Sequence, residues 1–188
     1  GLMRLSRRTV AGVETLLDFG NTYGAGTATH SLTLYRHESG ALVFGAGTVQ
    51  WSWGLDSNHD RGSAPADARM RQATVNLFAD MDVLPRTVQS GLVLSSPSND
   101  TSAPVSTITS PAEGASITPR STVTVSGTAT DAAGIVSVVE VSTDGGETWR
   151  AATGTTNWTF AWVANVSGTF TILSRAWDDT GNRELPAS

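Results

Sequence analysis

Acidic side chains and aromatic rings are the chemistry this chain offers, and their spacing sets the possibilities. Asp131 follows one alternating run, while Asp178, Asp179 and Asn182 follow another. If those runs end at the same edge of a sandwich, three carboxylates and an amide gather there, the hard oxygen set that calcium takes. The same residues also read as turn formers, because Asp and Asn ahead of Gly close turns with their own side chains. Trp158, Phe160 and Trp162 occupy alternate positions and so share one face of a strand. Turned to solvent they would form a stacking platform for a sugar; turned inward they supply the bulk a small sandwich needs, the reading favoured here. His59, between Asn58 and Asp60 in the polar run Asp56–Ser63, could ligate a metal or act as a base. Acids and a histidine are equally ordinary in a loop.

Other chemistry is excluded. There is no Gly-x-Ser-x-Gly elbow, His-Glu-x-x-His pair, phosphate loop or dinucleotide fingerprint, and Gly45-Ala46-Gly47 lacks the third glycine. Zero cysteines remove disulfides, thiolate metal sites and a cysteine nucleophile. The net charge of −5, with no basic cluster beyond Arg4, Arg7 and Arg8, argues against a nucleic-acid groove. All positive side chains are arginine, a pattern read as the codon bias of a GC-rich genome. No run approaches the roughly 18 apolar residues of a membrane span. The first residues show no apolar signal segment and no initiating methionine, as expected of a piece of a longer protein. No catalytic, cofactor-binding or metal-ligating residue is assigned on this basis, and calcium at Asp131, Asp178, Asp179 and Asn182 stays open.

The elements that must position these residues divide the chain at a Ser/Pro/Asn linker, 95–103. Residues 1–94 read as a mixed α/β segment. Residues 1–12 are expected to be a connector, Glu14–Phe19 a strand, and the Gly/Thr-rich Asn21–Thr29 a loop. Ser31–Arg36 alternates as a strand, His37–Gly40 turns, and Ala41–Phe44 and Thr48–Trp53 are further strands. A helix is expected over Ala66–Asp82, capped by Ser63 or Asp67, with Met70, Ala73, Leu77, Phe78 and Met81 as its apolar stripe. Val88–Leu94 is a candidate short strand.

Residues 104–188 read as strands throughout: Val105–Thr109, Ser121–Thr130, Ile135–Ser142, Thr148–Ala151, Asn157–Val163 and Gly168–Asp178, with Asp144-Gly145-Gly146-Glu147 as a hairpin connection. That spacing without helices predicts an antiparallel β-sandwich, with Trp149 and Trp162 as large core or rim side chains. Its last strand is expected to be short or missing, leaving an open edge.

VEVSTDGGETWRAA (Val139–Ala152), NWTFAW and SRAWDDTGN resemble bacterial immunoglobulin-like domains of the early-set type. A similar pattern occurs in the dimerisation domain of sulfite-oxidase-like molybdenum enzymes. The resemblance covers about residues 104–186 and implies fold rather than function, since such modules serve as spacers, dimer contacts or sugar-binding accessories. LTLYRHESGALVFGAGTVQWSWGLD and RMRQATVNLFADMDVLP resemble the C-terminal part of the N,N-dimethylformamidase large-subunit family, over about residues 12–85. That resemblance implies a glutamine-amidotransferase-like α/β core and a parent protein that hydrolyses an amide with a mononuclear iron held by tyrosine and carboxylate. It also implies that most iron ligands lie upstream, so this chain carries no cofactor of its own, with His30, Tyr23 and Tyr35 bordering the pocket. The reading is thus a segment of a larger exported or surface bacterial protein, with the sandwich as a non-catalytic spacer or contact module. Its expected partners are the upstream part of the same polypeptide and, possible for the sandwich, a protein or carbohydrate. Two alternatives stand beside it: a metal-dependent C–N hydrolase parent, and a carbohydrate- or protein-binding accessory module.

Overall fold

The computed structural model describes residues 1–186, whose regular structure is mostly strand, with one α-helix. They form two compact units, Arg4–Asn99 and Asp100 onward, the latter joined by Gly1–Met3.

The first unit is built on β1 (Leu2–Leu17), β2 (Thr22–Arg36) and β3 (Leu42–Gly45), paired in that order. Of the stretches expected as connector and loop, residues 2–12 and 22–29 are therefore strand. Gly24 and Gly26 explain the difference. A Cβ on Gly24 would lie 2.8 Å from Leu17 Cδ1, and one on Gly26 2.5 Å from Thr15 Oγ1. The glycines make room for cross-strand side chains, so they belong to the strand instead of breaking it. The turn between β1 and β2 uses positive φ at Asp18, Phe19 and Gly20. Leu34↔Phe44 and Tyr35↔Val43 fix the register of β2 and β3.

Thr48–Trp53 is not a strand: Trp51–Gly54 forms a 3-10 turn. Gly54 lies against the Met70 thioether, while Trp51 Nε1 donates to Thr74 Oγ1 at 3.2 Å, so this turn docks on α1 (Ala68–Asp80). Asp67 caps α1 by accepting the Arg69 N–H, one of the two caps expected. The predicted stripe is only partly inward: Phe78 and Met81 are 44% and 48% exposed, and the fully buried helical residue is Ala79. Val88–Leu94 forms no strand; Gln72 holds Val93 through both its N–H and its carbonyl. The amidotransferase-like α/β layer expected here does not appear. Its parallel strands would need crossover helices, whereas these three pair as sequence neighbours.

The second unit is the expected antiparallel sandwich. One sheet runs β4 (Val105–Ser110), β5 (Thr122–Thr130), β9 (Asn157–Val163), β8 (Thr153–Gly154). The other runs β10 (Leu173–Asp178), β6 (Val136–Ser142), β7 (Arg150–Ala151). Val125, Ala129, Val136, Val139, Val141, Trp158 and Ala176 form the core. Within β5, alternation sends Val123, Val125, Gly127 and Ala129 inward. β10 starts later than expected, leaving 168–172 as loop. The closing edge is covered where an open one was expected. After Asp178 the chain turns back, Trp177 bridges Arg183, and the Glu184 N–H donates to the Ala176 carbonyl.

Candidate metal centre

The β5–β6 turn and the turn after β10 lie at one end of the sandwich and bring together the acids the sequence pairs, with one more. Oxygens of Asp100, Asp131 and Asp178 all lie within 4.8 Å of one another. Asp178, in the last position of β10, is fully buried. Its carboxylate accepts the Thr180 and Asn182 N–H groups at 2.9 and 2.7 Å, the Thr180 hydroxyl at 3.0 Å and Asn182 Nδ2 at 2.6 Å. Asn182 Nδ2 also donates to the Asp100 carbonyl at 3.0 Å, so the amide nitrogen ties Asp100 to the turn after β10. Asp179 is exposed and accepts the Ile135 N–H at 3.1 Å through Oδ1. Of the four residues the sequence groups, Asp131 and Asp178 belong to the oxygen cluster and also close turns, while Asp179 and Asn182 lie outside the three-carboxylate set.

Asp100 is the member that sequence reasoning missed. It sits in the stretch read as linker, and its Oδ1 accepts the Ser102 N–H at 2.8 Å. Its separation along the chain from Asp178 hid it; the only local signal is an Asp just ahead of the first sandwich strand.

The other sequence candidates are occupied by packing. Trp158 is 1% exposed, and Phe160 packs against the core. Trp162 meets Phe170 edge-on at 4.7 Å. The aromatic row is thus no open platform. Trp149 lies under the Arg175 guanidinium, 4.1 Å from the ring centroid, and Arg175 Nε donates to Glu140 at 2.8 Å. His59 stacks on Trp53 at 4.5 Å with its ring nitrogens 2.6 and 3.2 Å from the Arg61 and Ala64 carbonyls, which leaves neither facing a metal. His30 Nε2 meets the Ala46 carbonyl at 2.8 Å. Tyr23 is 67% exposed, and Tyr35 contacts His37 edge-on. All three pocket candidates lie on β2, but strand alternation puts His30 on the opposite face from the tyrosines, which are about 40 Å apart at ~3.3 Å per residue. They do not converge on one site.

Residues 104–173 match the model of a family described as a bacterial Ig domain. Among solved structures, the sulfane dehydrogenase SoxCD from Paracoccus pantotrophus is similar at 30% identity, over 44% of this chain and 23% of that one, with a TM-score of 0.39. None of the curated proteins matches the chain. With its strands, core and family match in agreement, the second unit carries a bacterial Ig-like domain.

Proposed function

We propose that this chain is a non-catalytic segment of a larger bacterial protein, in which the Ig-like sandwich is a spacer or contact module beside a dimethylformamidase-like domain. The observation that carries the first half is the family match over residues 104–173, on a sandwich whose aromatic side chains are committed to packing. Support for the second half is the resemblance of the runs Leu32–Asp56 and Arg69–Pro85 together with the surface of the first unit. Between Arg4 and Asn99 only Leu34 and Ala79 are buried, while Leu16, Leu17, Phe19, Tyr23 and Val93 are exposed. Apolar side chains exposed on the β1–β2 hairpin and on the segment 88–94 are what the rest of a domain would cover. An extracellular or cell-surface location belongs to the same proposal and is read by cell fractionation.

The test is a metal analysis and an amide-hydrolysis assay on the longer natural protein beside the 188-residue chain. Iron and hydrolysis in the longer protein alone are the expected result and place the reaction upstream. Absence of both from the longer protein removes the dimethylformamidase-like assignment and leaves a surface module. Hydrolysis by the 188-residue chain itself overturns the non-catalytic reading.

A further inference from the structure

Turn chemistry does not account for all of the acidic end of the sandwich. Asp131 Oδ1 accepts the N–H groups of Ala133 and Gly134 at 3.0 and 3.1 Å. Asp131 Oδ2 is buried and accepts no hydrogen bond. It lies beside Gly134, among other carboxylate oxygens. A Cβ on that glycine would lie 3.5 Å from Asp131 Oδ2, 2.7 Å from Asp100 Oδ2 and 2.9 Å from Asp179 Oδ1. Desolvating a carboxylate oxygen without a donor is costly, and crowding several negative oxygens adds repulsion. One bound cation removes both penalties. Calcium binds oxygen at about 2.3–2.6 Å, so two oxygens on one ion lie at most roughly 5 Å apart. The 4.8 Å limit on the three carboxylates meets that condition.

We propose that Asp100, Asp131 and Asp178 form a calcium site at this end of the sandwich, with Asp179 at its rim and Asn182 as a positioning residue. Irregular loops that supply carboxylates suit calcium better than magnesium, which demands a tight octahedron and keeps its waters. The ion would hold Asp100, the first residue of the sandwich unit, to the two turns and so stiffen the point where the linker enters. The site stands on its own geometry and does not depend on the spacer reading.

The experiment is a calcium titration of the EDTA-treated 188-residue chain, followed by thermal melting and by tryptophan-sensitised terbium luminescence, with Trp177 next to Asp178 as the antenna. At 10 mM calcium chloride, about tenfold above the weak end of extracellular calcium modules, the sandwich should melt roughly 5–10 °C higher. Calcium should also displace the terbium signal. Asp131→Asn should lose both responses while melting in EDTA no lower than the parent, because it can keep the Oδ1 acceptor of the Ala133 and Gly134 N–H groups and replaces only the oxygen that has no donor. Gly134→Ala, whose Cβ would press on Asp100 Oδ2 and Asp179 Oδ1, should lose them as well. If Asp131→Asn does not fold, Asp100→Asn is read in the same way. Unchanged melting with no terbium signal overturns the site. So does a full response in a folded Asp131→Asn, or an equal response to magnesium chloride.

Discussion

Trp158 and Gly127 show how narrowly single residues constrain the sandwich. Gly127 lies opposite Trp158 in the β5–β9 pairing, and a Cβ there would meet the indole ring and the Thr107 carbonyl at 2.2 Å each. Neither neighbour can yield, because one is a buried ring and the other backbone. Gly127→Ala should therefore cost about 1–3 kcal/mol or more through overpacking, read from the urea midpoint. A variant as stable as the parent would mean the indole is not seated across Gly127. Asp144 supplies a second residue-scale expectation. The Ser142 hydroxyl, then the Thr148 hydroxyl and N–H, hold its carboxyl well below the usual carboxylate range. A depressed folded-state value makes the contribution of this turn fully present above the unfolded value of about 3.9 and lost as pH falls through the folded one. NMR titration should place the Asp144 midpoint below those of exposed aspartates, and Ser142→Ala should move it upward. A midpoint that ignores Ser142→Ala would break the attribution. This turn was legible in Asp144-Gly145-Gly146, because both glycines take the positive φ (72° and 99°) that such a connection needs. Asp100 was not legible, since nothing local distinguishes a linker aspartate from one that folds against Asp178.

Glu184 does at the scale of elements what a longer final strand would do. Its Oε1 accepts the Ser106 N–H at 2.9 Å, and its Oε2 accepts the Ser106 hydroxyl at 2.6 Å and the Ala176 N–H at 2.8 Å. Ser106 lies in β4 and Ala176 in β10, the edge strands of the two sheets, so one carboxylate ties the sheets together at their open side. Glu184→Ala leaves two strand N–H groups without an acceptor, and at about 1–3 kcal/mol for each buried group it should destabilise the sandwich by roughly 2–6 kcal/mol. Glu184→Asp, too short to reach both strands, should recover little. Stability of Glu184→Ala within a few tenths of a kcal/mol of the parent would show that water replaces the carboxylate. The sequence announces the strands of this unit because Val and Trp alternate against Thr and Ser, a period that only half-buried strands require. It does not announce Glu184, because an edge closed by a side chain has no periodicity. The same limit explains the hairpin of the first unit. Gly24 and Gly26 read as loop until Leu17 and Thr15 are seen lying over them.

The contrast between the two units decides how the whole molecule should open. The sandwich buries a continuous apolar core, whereas between Arg4 and Asn99 full burial is confined to Leu34 and Ala79 among the described residues, the rest being half-buried or exposed. Backbone hydrogen bonds of an exposed hairpin that pairs with β3 only along Thr33–Arg36 have little packing to protect them, and such segments open at free energies far below global unfolding. Hydrogen exchange on the full chain should therefore separate the units. Amides of β5, β6 and β9 should exchange only through cooperative unfolding of the sandwich, and those of β1 and β2 orders of magnitude faster. α1, anchored through Trp51, Thr74 and Gln72, should fall between them. Addition of the upstream segment, if it covers Leu16, Phe19 and Tyr23, should slow β1 and β2 and leave β5, β6 and β9 unchanged. Protection of β1 and β2 equal to that of β9 in the chain alone would show that the ribbon needs no cover. The exposed apolar residues would then have to be explained without an upstream partner, and the main structural support for a dimethylformamidase-like neighbour would be gone.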